Sequence, residues 1–359
     1  MKSVIYTIIA LMCIKYAAGG FLTRPKSPRI FNLFCRRRQP MPLLSVSPTF
    51  TVFADGKQDC FHLLDLRSAQ AAIDKWSRDG YFKKGRQVVF IVHGYYGYSS
   101  CPCLMIEMKD AIMAAEDSTV ITVIWSKGAD KLDYGLSAST TQTVSAAIAA
   151  VAEAISRSTV FKGNTSDLYL YCIGESLGAH ICGQAGRLAK TAKGERIFDR
   201  VTGLDPSGPG FESCTDHLHV DKDSAVCVDN IHTDGSMQGH ILGIMYYGTL
   251  NSWGHIDFYP NGGYKQPSCP TFFHTSCDHA SVMQYFMLSL KNGGACFAVG
   301  SCTNVASMPN SCVKLSQNMG YYSSCHRKST TRLEGNFYVN VMNGGKTSRC
   351  KITDKRSCD

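Results

Sequence analysis

After its first twenty positions the chain lacks any apolar run long enough to cross a bilayer, which excludes a membrane-spanning helix beyond its start. It lacks internal repeats, which excludes solenoids and propellers. It also lacks a groove-reading or base-stacking motif, which argues against nucleic acid as a partner. Charge is scarce: only 18% of residues are Asp, Glu, Lys or Arg. Between residues 21 and 47 acidic side chains are missing altogether, while Arg24, Lys26, Arg29, Arg36, Arg37 and Arg38 supply six cations. The formal charge of +9 falls to +1 once those six, Lys2 and Lys15 are set aside. The basic character therefore belongs to the amino-terminal end, and the rest of the chain is nearly neutral.

What is present begins with a leader. Met1-Lys2-Ser3 precedes an apolar run from Val4 to Ile14 and then small residues from Ala17 to Gly20. That layout predicts a secretory signal peptide over residues 1–20. Residues 21–47, with Pro25, Pro28, Pro40 and Pro42, read as an exposed basic arm or propeptide. Cysteine usage agrees with an extracellular, oxidising destination: 17 in all, and 16 once Cys13 leaves with the leader, which allows up to eight disulfides. Cys172 fits a disulfide or a buried thiol equally well. Asn164 opens an Asn-Thr-Ser glycosylation sequon.

From residue 49 onward, strand candidates at 49–53, 88–92, 120–125, 168–173 and 200–204 alternate with helix candidates at 69–78, 106–115, 136–157, 177–189 and 279–290. This alternation predicts an α/β fold, a mainly parallel twisted sheet with helices on both faces. In the fourth strand-to-helix exchange lies Gly174-Glu175-Ser176-Leu177-Gly178. A Gly-x-Ser-x-Gly between strand and helix is the setting of a nucleophile elbow, which would expose the Ser176 hydroxyl at the carboxyl end of the sheet. Asp205 ends the next strand and His279 opens a later helix, and the order Ser, Asp, His is that of α/β-hydrolases. The strand at 88–92 breaks into His93-Gly94, where a second oxyanion donor would sit. His217, His219 and Asp221 would align on one strand face, but no fitting fourth ligand is evident, so no metal is assigned.

Together with Val123-Ile-Trp-Ser126, Gly203-Leu-Asp-Pro-Ser-Gly-Pro-Gly-Phe211, Ile231-His-Thr-Asp-Gly235, Gly254-His-Ile-Asp-Phe-Tyr-Pro260 and Met319-Gly-Tyr-Tyr322, these segments resemble the pancreatic-lipase-like family of animal lipases and phospholipases A1. The resemblance runs over about 48–343 and implies an α/β-hydrolase lipase domain there. A tail at 344–359 is too short for the family's carboxyl-terminal β-sandwich domain. It implies Ser176 as nucleophile, Asp205 as orienting acid and His279 as general base, with the backbone N–H groups of Tyr95 and Leu177 as the oxyanion hole. No cofactor is implied. The family often has His where Glu175 stands, and the resemblance gives that position no chemistry. Many relatives hold a structural calcium near Asp221; Asp221 matches one of its carboxylates, but Ser224 falls where the other is expected.

The resemblance further implies a lid closed by Cys269–Cys277. Only seven residues lie between these cysteines, Pro270 to Ser276. Very short lids resemble those of the secreted phospholipases A1. A loop so clamped cannot reach far across a cleft. The expected activity is therefore cleavage of the sn-1 acyl ester of phospholipids by a secreted monomer. Phe272, Phe273 and Trp253 would seat it on a lipid interface. A second loop, Ile241 to Tyr247, is not obviously shortened, which keeps a triacylglycerol or broad neutral-lipid lipase open, and with it a non-catalytic lipid carrier of the same fold. Further pairs expected are Cys302–Cys312, and Cys35 with Cys101 or Cys103.

Overall fold

The computed structural model describes residues 38–341, apart from 98–101, 163–164, 192, 213–217, 237–245, 270–275, 291–297 and the positions 304, 306–307, 309, 311 and 316. Its strands are β1 (Thr49–Ala54), β2 (Lys57–His62), β3 (Gln87–Val92), β4 (Ser118–Ile124), β5 (Tyr169–Glu175), β6 (Phe198–Leu204), β7 (Cys227–Ile231), β8 (Ile256–Pro260), β9 (Ala298–Cys302), β10 (Cys312–Leu315) and β11 (Gly335–Asn340). They form one sheet in the order β10-β9-β11-β8-β7-β6-β5-β3-β4-β1-β2. From β4 across to β11 every neighbouring pair is parallel. Antiparallel pairs finish both edges, β1 with β4 and β2, and β9 with β11 and β10.

Strand β3 explains why both faces are covered. All six of its residues are buried. Alternation sends Val88, Phe90 and Val92 into one apolar cluster and Val89 and Ile91 into another on the opposite face. On the first face lie α1 (Ala69–Arg78), α3 (Tyr134–Arg157) and α4 (Leu177–Leu188); on the second lie α2 (Pro102–Ala115) and α5 (Cys277–Leu290). Helix α3 is started by Asp133, whose carboxylate accepts from Leu136 N at 3.2 Å. Its stripe of Val144, Ile148, Val151 and Ile155 is fully buried in the first cluster. The arrangement is the α/β-hydrolase fold. No helix among the described residues is long and apolar enough to cross a membrane.

Strands β1, β3, β4, β5 and β6 stand within two residues of the expected bounds, whereas β2 and β7–β11 were not foreseen. β2 is a polar edge, Lys-Gln-Asp-Cys-Phe-His, with no apolar run to read. β7 is fully buried yet carries Asp229 and Asn230 in its middle. Asp229 tolerates this because Arg200 of β6 donates to it twice, at 3.1 and 2.6 Å. The same guanidinium donates to Tyr321 O at 2.7 Å and lies 4.6 Å over the Tyr171 ring. A disulfide, Cys227–Cys325, closes next to this cluster.

The basic arm is shorter than its proline content suggests. Leu43–Val46 makes one helical turn, Val46 is 1% exposed, and Met41 N donates to Thr140 Oγ1 while Met41 O accepts from Thr143 Oγ1. From Met41 on, the segment is docked on α3. The leader, the first part of the arm, the tail, Asn164, Cys35, Cys101, Phe272 and Phe273 lie outside the described residues, as does residue 217 of the histidine pair.

Candidate active site

The turn between β5 and α4 is built by what its glycines leave out. A Cβ on Gly174 would lie 2.1 Å from Gly178 O, and one on Gly178 would lie 2.3 Å from Val92 O. Strand, helix and the neighbouring β3 can cross this closely only with hydrogen in both places. Ser176 at the apex takes φ 55 and ψ −118, a left-handed conformation that costs a non-glycine residue about 1–3 kcal/mol. Ser176 N donates to Leu204 O at 2.9 Å, which ties the apex to the end of β6. Cys172 of β5 and Cys182 of α4 are disulfide-bonded, so of the two states open to Cys172 the structure has the bridge.

Asp205 follows β6 directly and is fully buried. Its Oδ1 accepts from Thr233 N at 2.8 Å and Asp234 N at 3.2 Å, two amides just past β7. Its Oδ2 accepts from His279 Nδ1 at 2.5 Å. His279 stands in the first turn of α5, behind Cys277, which is bonded to Cys269 with 5.7 Å between the Cα atoms. Burial depresses the His279 imidazole, but the hydrogen bond and charge of Asp205, with the charges of Glu175 and Asp234, outweigh it and raise the group to about 9. Asp234 was not foreseen as part of this cluster. Burial, then the nearby Asp205 charge, pushes its carboxyl up to about 8.

The other nitrogen of His279 makes no hydrogen bond to the elbow serine. Nε2 lies 3.3 Å from Glu175 Oε1, and no described residue hydrogen-bonds the Ser176 hydroxyl. Glu175 Oε2 accepts from Gly94 N at 2.9 Å. A Cβ on Gly94 would lie 2.6 Å from both Glu175 Oε2 and Ser176 Cβ, so the backbone leading into Tyr95 runs against the serine side chain. Leu177, the first residue of α4, presents an N–H that has no partner within the helix. The Tyr95 ring is held away by its hydroxyl, which donates to Lys131 O, and by edge contacts with Tyr96 and Tyr134. Beside Glu175 a cavity of about 90 Å³ is walled by Leu104, Met105, Met108, Met283 and His93.

Four other described histidines are held within the fold. Trp125 N donates to His93 Nε2 at 3.0 Å, so Nδ1 carries the proton given to Gly94 O, and burial lowers this group to about 4. His180 accepts from Val220 N and donates to Ser207 O, stacked 3.7 Å from Phe211, and burial lowers it to about 3. His232 bridges Thr249 O and Asp257, and His219 stacks on Trp253.

Metal ligation fits neither acidic cluster. Asp205, Asp234 and His279 bring ligand atoms within 4.8 Å of one another, but both Asp205 oxygens are already taken by N–H donors. Near Asp221, where the resemblance suggests calcium, a guanidinium stands. Arg187 Nη1 donates to Asp221 Oδ1 at 2.9 Å and to Ser224 Oγ at 3.0 Å. One carboxylate, one hydroxyl and a fixed cation do not make a calcium site.

Residues 27–346 match the family described as Lipase. Lipase member H of Mus musculus is 34% identical over 58% of this chain and 43% of its own length. Lipase member H-A of Xenopus laevis is 33% identical over 68% of this chain and 51% of its own. Pancreatic triacylglycerol lipase of Myocastor coypus is 29% identical over 76% of this chain and 61% of its own. The chain spans about half the length of the curated relatives it matches.

Proposed function

The chain belongs to the pancreatic-lipase-like family, and on that premise we propose that it is a secreted serine hydrolase that cleaves carboxylic esters of lipids, with phospholipid cleaved at the sn-1 position. The observation that carries the reading is a serine held at positive φ on a strand-to-helix elbow, beside a histidine whose Nδ1 is bound by a buried aspartate. In this reading the leader at 1–20 is removed, the hydrolase body occupies 48–343, and Asn164 is glycosylated.

The chemistry follows from these positions. With substrate bound, His279 Nε2 takes the Ser176 hydroxyl proton as the oxygen attacks the ester carbonyl. Asp205 fixes the ring by Nδ1 and stabilises the imidazolium that forms. The Tyr95 and Leu177 amides receive the oxyanion; losing one such donor costs roughly 3–4 kcal/mol. The imidazolium then protonates the leaving alcohol. Water, deprotonated by the same nitrogen, releases the acyl group from Ser176. Every proton is carried by the chain's own groups, so the sequence of steps requires no cofactor.

Phospholipid is favoured by the lid. Cys269 and Cys277 are bonded with only seven residues between them, a closure too short to reach far across a cleft, which favours a substrate with a bulky headgroup. The test offers purified protein phosphatidylcholine and triolein under matched conditions, with acyl position resolved. The expected result is sn-1 cleavage of phosphatidylcholine, faster than triolein, and no abrupt rise when a soluble short-chain ester passes its critical micelle concentration. Preference for triolein, or a sharp interfacial jump, would replace the reading with a triacylglycerol lipase. Turnover of neither lipid nor soluble ester would leave a carrier.

A further inference from the structure

We propose that Glu175 is a positioning residue that latches the resting site, holding His279 by the one nitrogen that has to accept the Ser176 proton. The resemblance to lipases assigns nothing to this position, yet its carboxylate is placed as a bridge. Oε2 is fixed by the Gly94 N–H at 2.9 Å, and Oε1 lies 3.3 Å from His279 Nε2. With Nδ1 already donating to Asp205, a proton on Nε2 makes the ring an imidazolium between two carboxylates. That ring cannot act as a base until the Nε2 proton has gone to solvent. Once it has, the Nε2 lone pair and the Glu175 charge repel, and the nitrogen is free for the serine hydroxyl.

Among the described residues the carboxylate has no better partner. On its other side is the apolar cavity of Leu104, Met105, Met108 and Met283, and the one titratable group there, His93, is kept neutral by burial. Around His279 the facing groups are Asp205 and Asp234 from beyond β6 and β7, the Tyr247 ring at 5.5 Å, and Asp278 on its own helix. Asp278 is already held by Lys265 at 2.7 Å. No cation among these competes for Glu175. Burial raises the Glu175 carboxyl, and the His279 charge and the Gly94 N–H offset only part of that rise. Each of the pair favours the charged form of the other. A histidine at this position, as many relatives carry, would remove the latch.

The inference rests on the hydrolase reading for its activity arm alone, so two readouts are used. In the first, kcat/KM for a soluble ester is measured from pH 5 to 10 for the wild type and Glu175→Gln. The acid limb should shift down by about one pH unit, raising activity at pH 6.5 roughly tenfold and leaving it unchanged at pH 10. A purely structural role would lower the whole profile without moving the limb, and that result overturns the latch. In the second, the His279 ring is titrated by NMR in Ser176→Ala, with and without Glu175→Gln. His279 should remain protonated well above its ordinary 6.5 when Glu175 is present and lose its proton at lower pH without it. A His279 that titrates near 6.5 in the single variant overturns the proposal, even if Glu175→Gln fails to fold. Absence of ester turnover with the titration shift intact would sink the hydrolase reading and leave the latch standing.

Discussion

At the scale of single residues, the site depends on groups whose identity cannot drift. Ser176→Ala or His279→Ala should lower ester turnover by at least about 10³-fold while secretion and folding persist, because such residues act as a unit. Activity of Ser176→Ala within tenfold of the wild type would remove it as nucleophile. His180 tests a different role. Its folded value of about 3 lies below the unfolded 6.5, so the unfolded chain binds the proton first. Stability from this group is full above about pH 6.5 and is lost as the pH falls toward 3. Between pH 7 and 5 the loss is about 2 kcal/mol. His180→Asn should flatten that part of the stability profile, read as urea midpoints at the two pH values; an unchanged slope would mean the ring is not buried neutral.

Among the elements, the connection between β6 and β7, where it meets α4, makes the sharpest prediction. Arg187 holds Asp221 and Ser224 together as an internal cation. Chelator should therefore leave the thermal midpoint unchanged, whereas Arg187→Ala should cost about 1–3 kcal/mol by leaving a half-buried carboxylate unpaired. A clear drop in midpoint on adding EDTA would count against this assignment. The site also shows where the sequence was readable. Elbow, acid and the His93-Gly94 turn stood out because each follows a strand buried on both faces, and such strands announce themselves as apolar runs: Leu170 to Ile173, Val201 to Leu204, Val88 to Val92. β7 and β8 carry Asp229, Asn230 and Asp257 at buried positions. Their partners, Arg200 and His232, lie far away in sequence, and no local pattern reveals that the charges are satisfied. Glu175 was hidden for the same reason. Its neighbours Gly94 and His279 are 81 and 104 positions distant, and only the folded turn brings them to one carboxylate.

For the whole molecule, the later third of the sheet is tied to the centre in two ways. Arg200 anchors Gly320, Tyr321 and Ser323 through hydrogen bonds of 2.7–3.0 Å, and Cys227–Cys325 adds a covalent link. This bridge spans 98 positions, and within that span lie residues 237–253, the Cys269–Cys277 segment and His279 itself. If the proposed secretion holds, the protein would meet proteases, which cut exposed segments first. A single cut between 232 and 269 would separate His279 from Ser176 and Asp205 in sequence but not in space. On a non-reducing gel the clipped protein should run as one band and keep its turnover; adding reductant should split it in two and end activity. Two bands without reductant would refute the Cys227–Cys325 link. Such a ring would hold a nicked chain together as one assembly for as long as the surroundings stay oxidising.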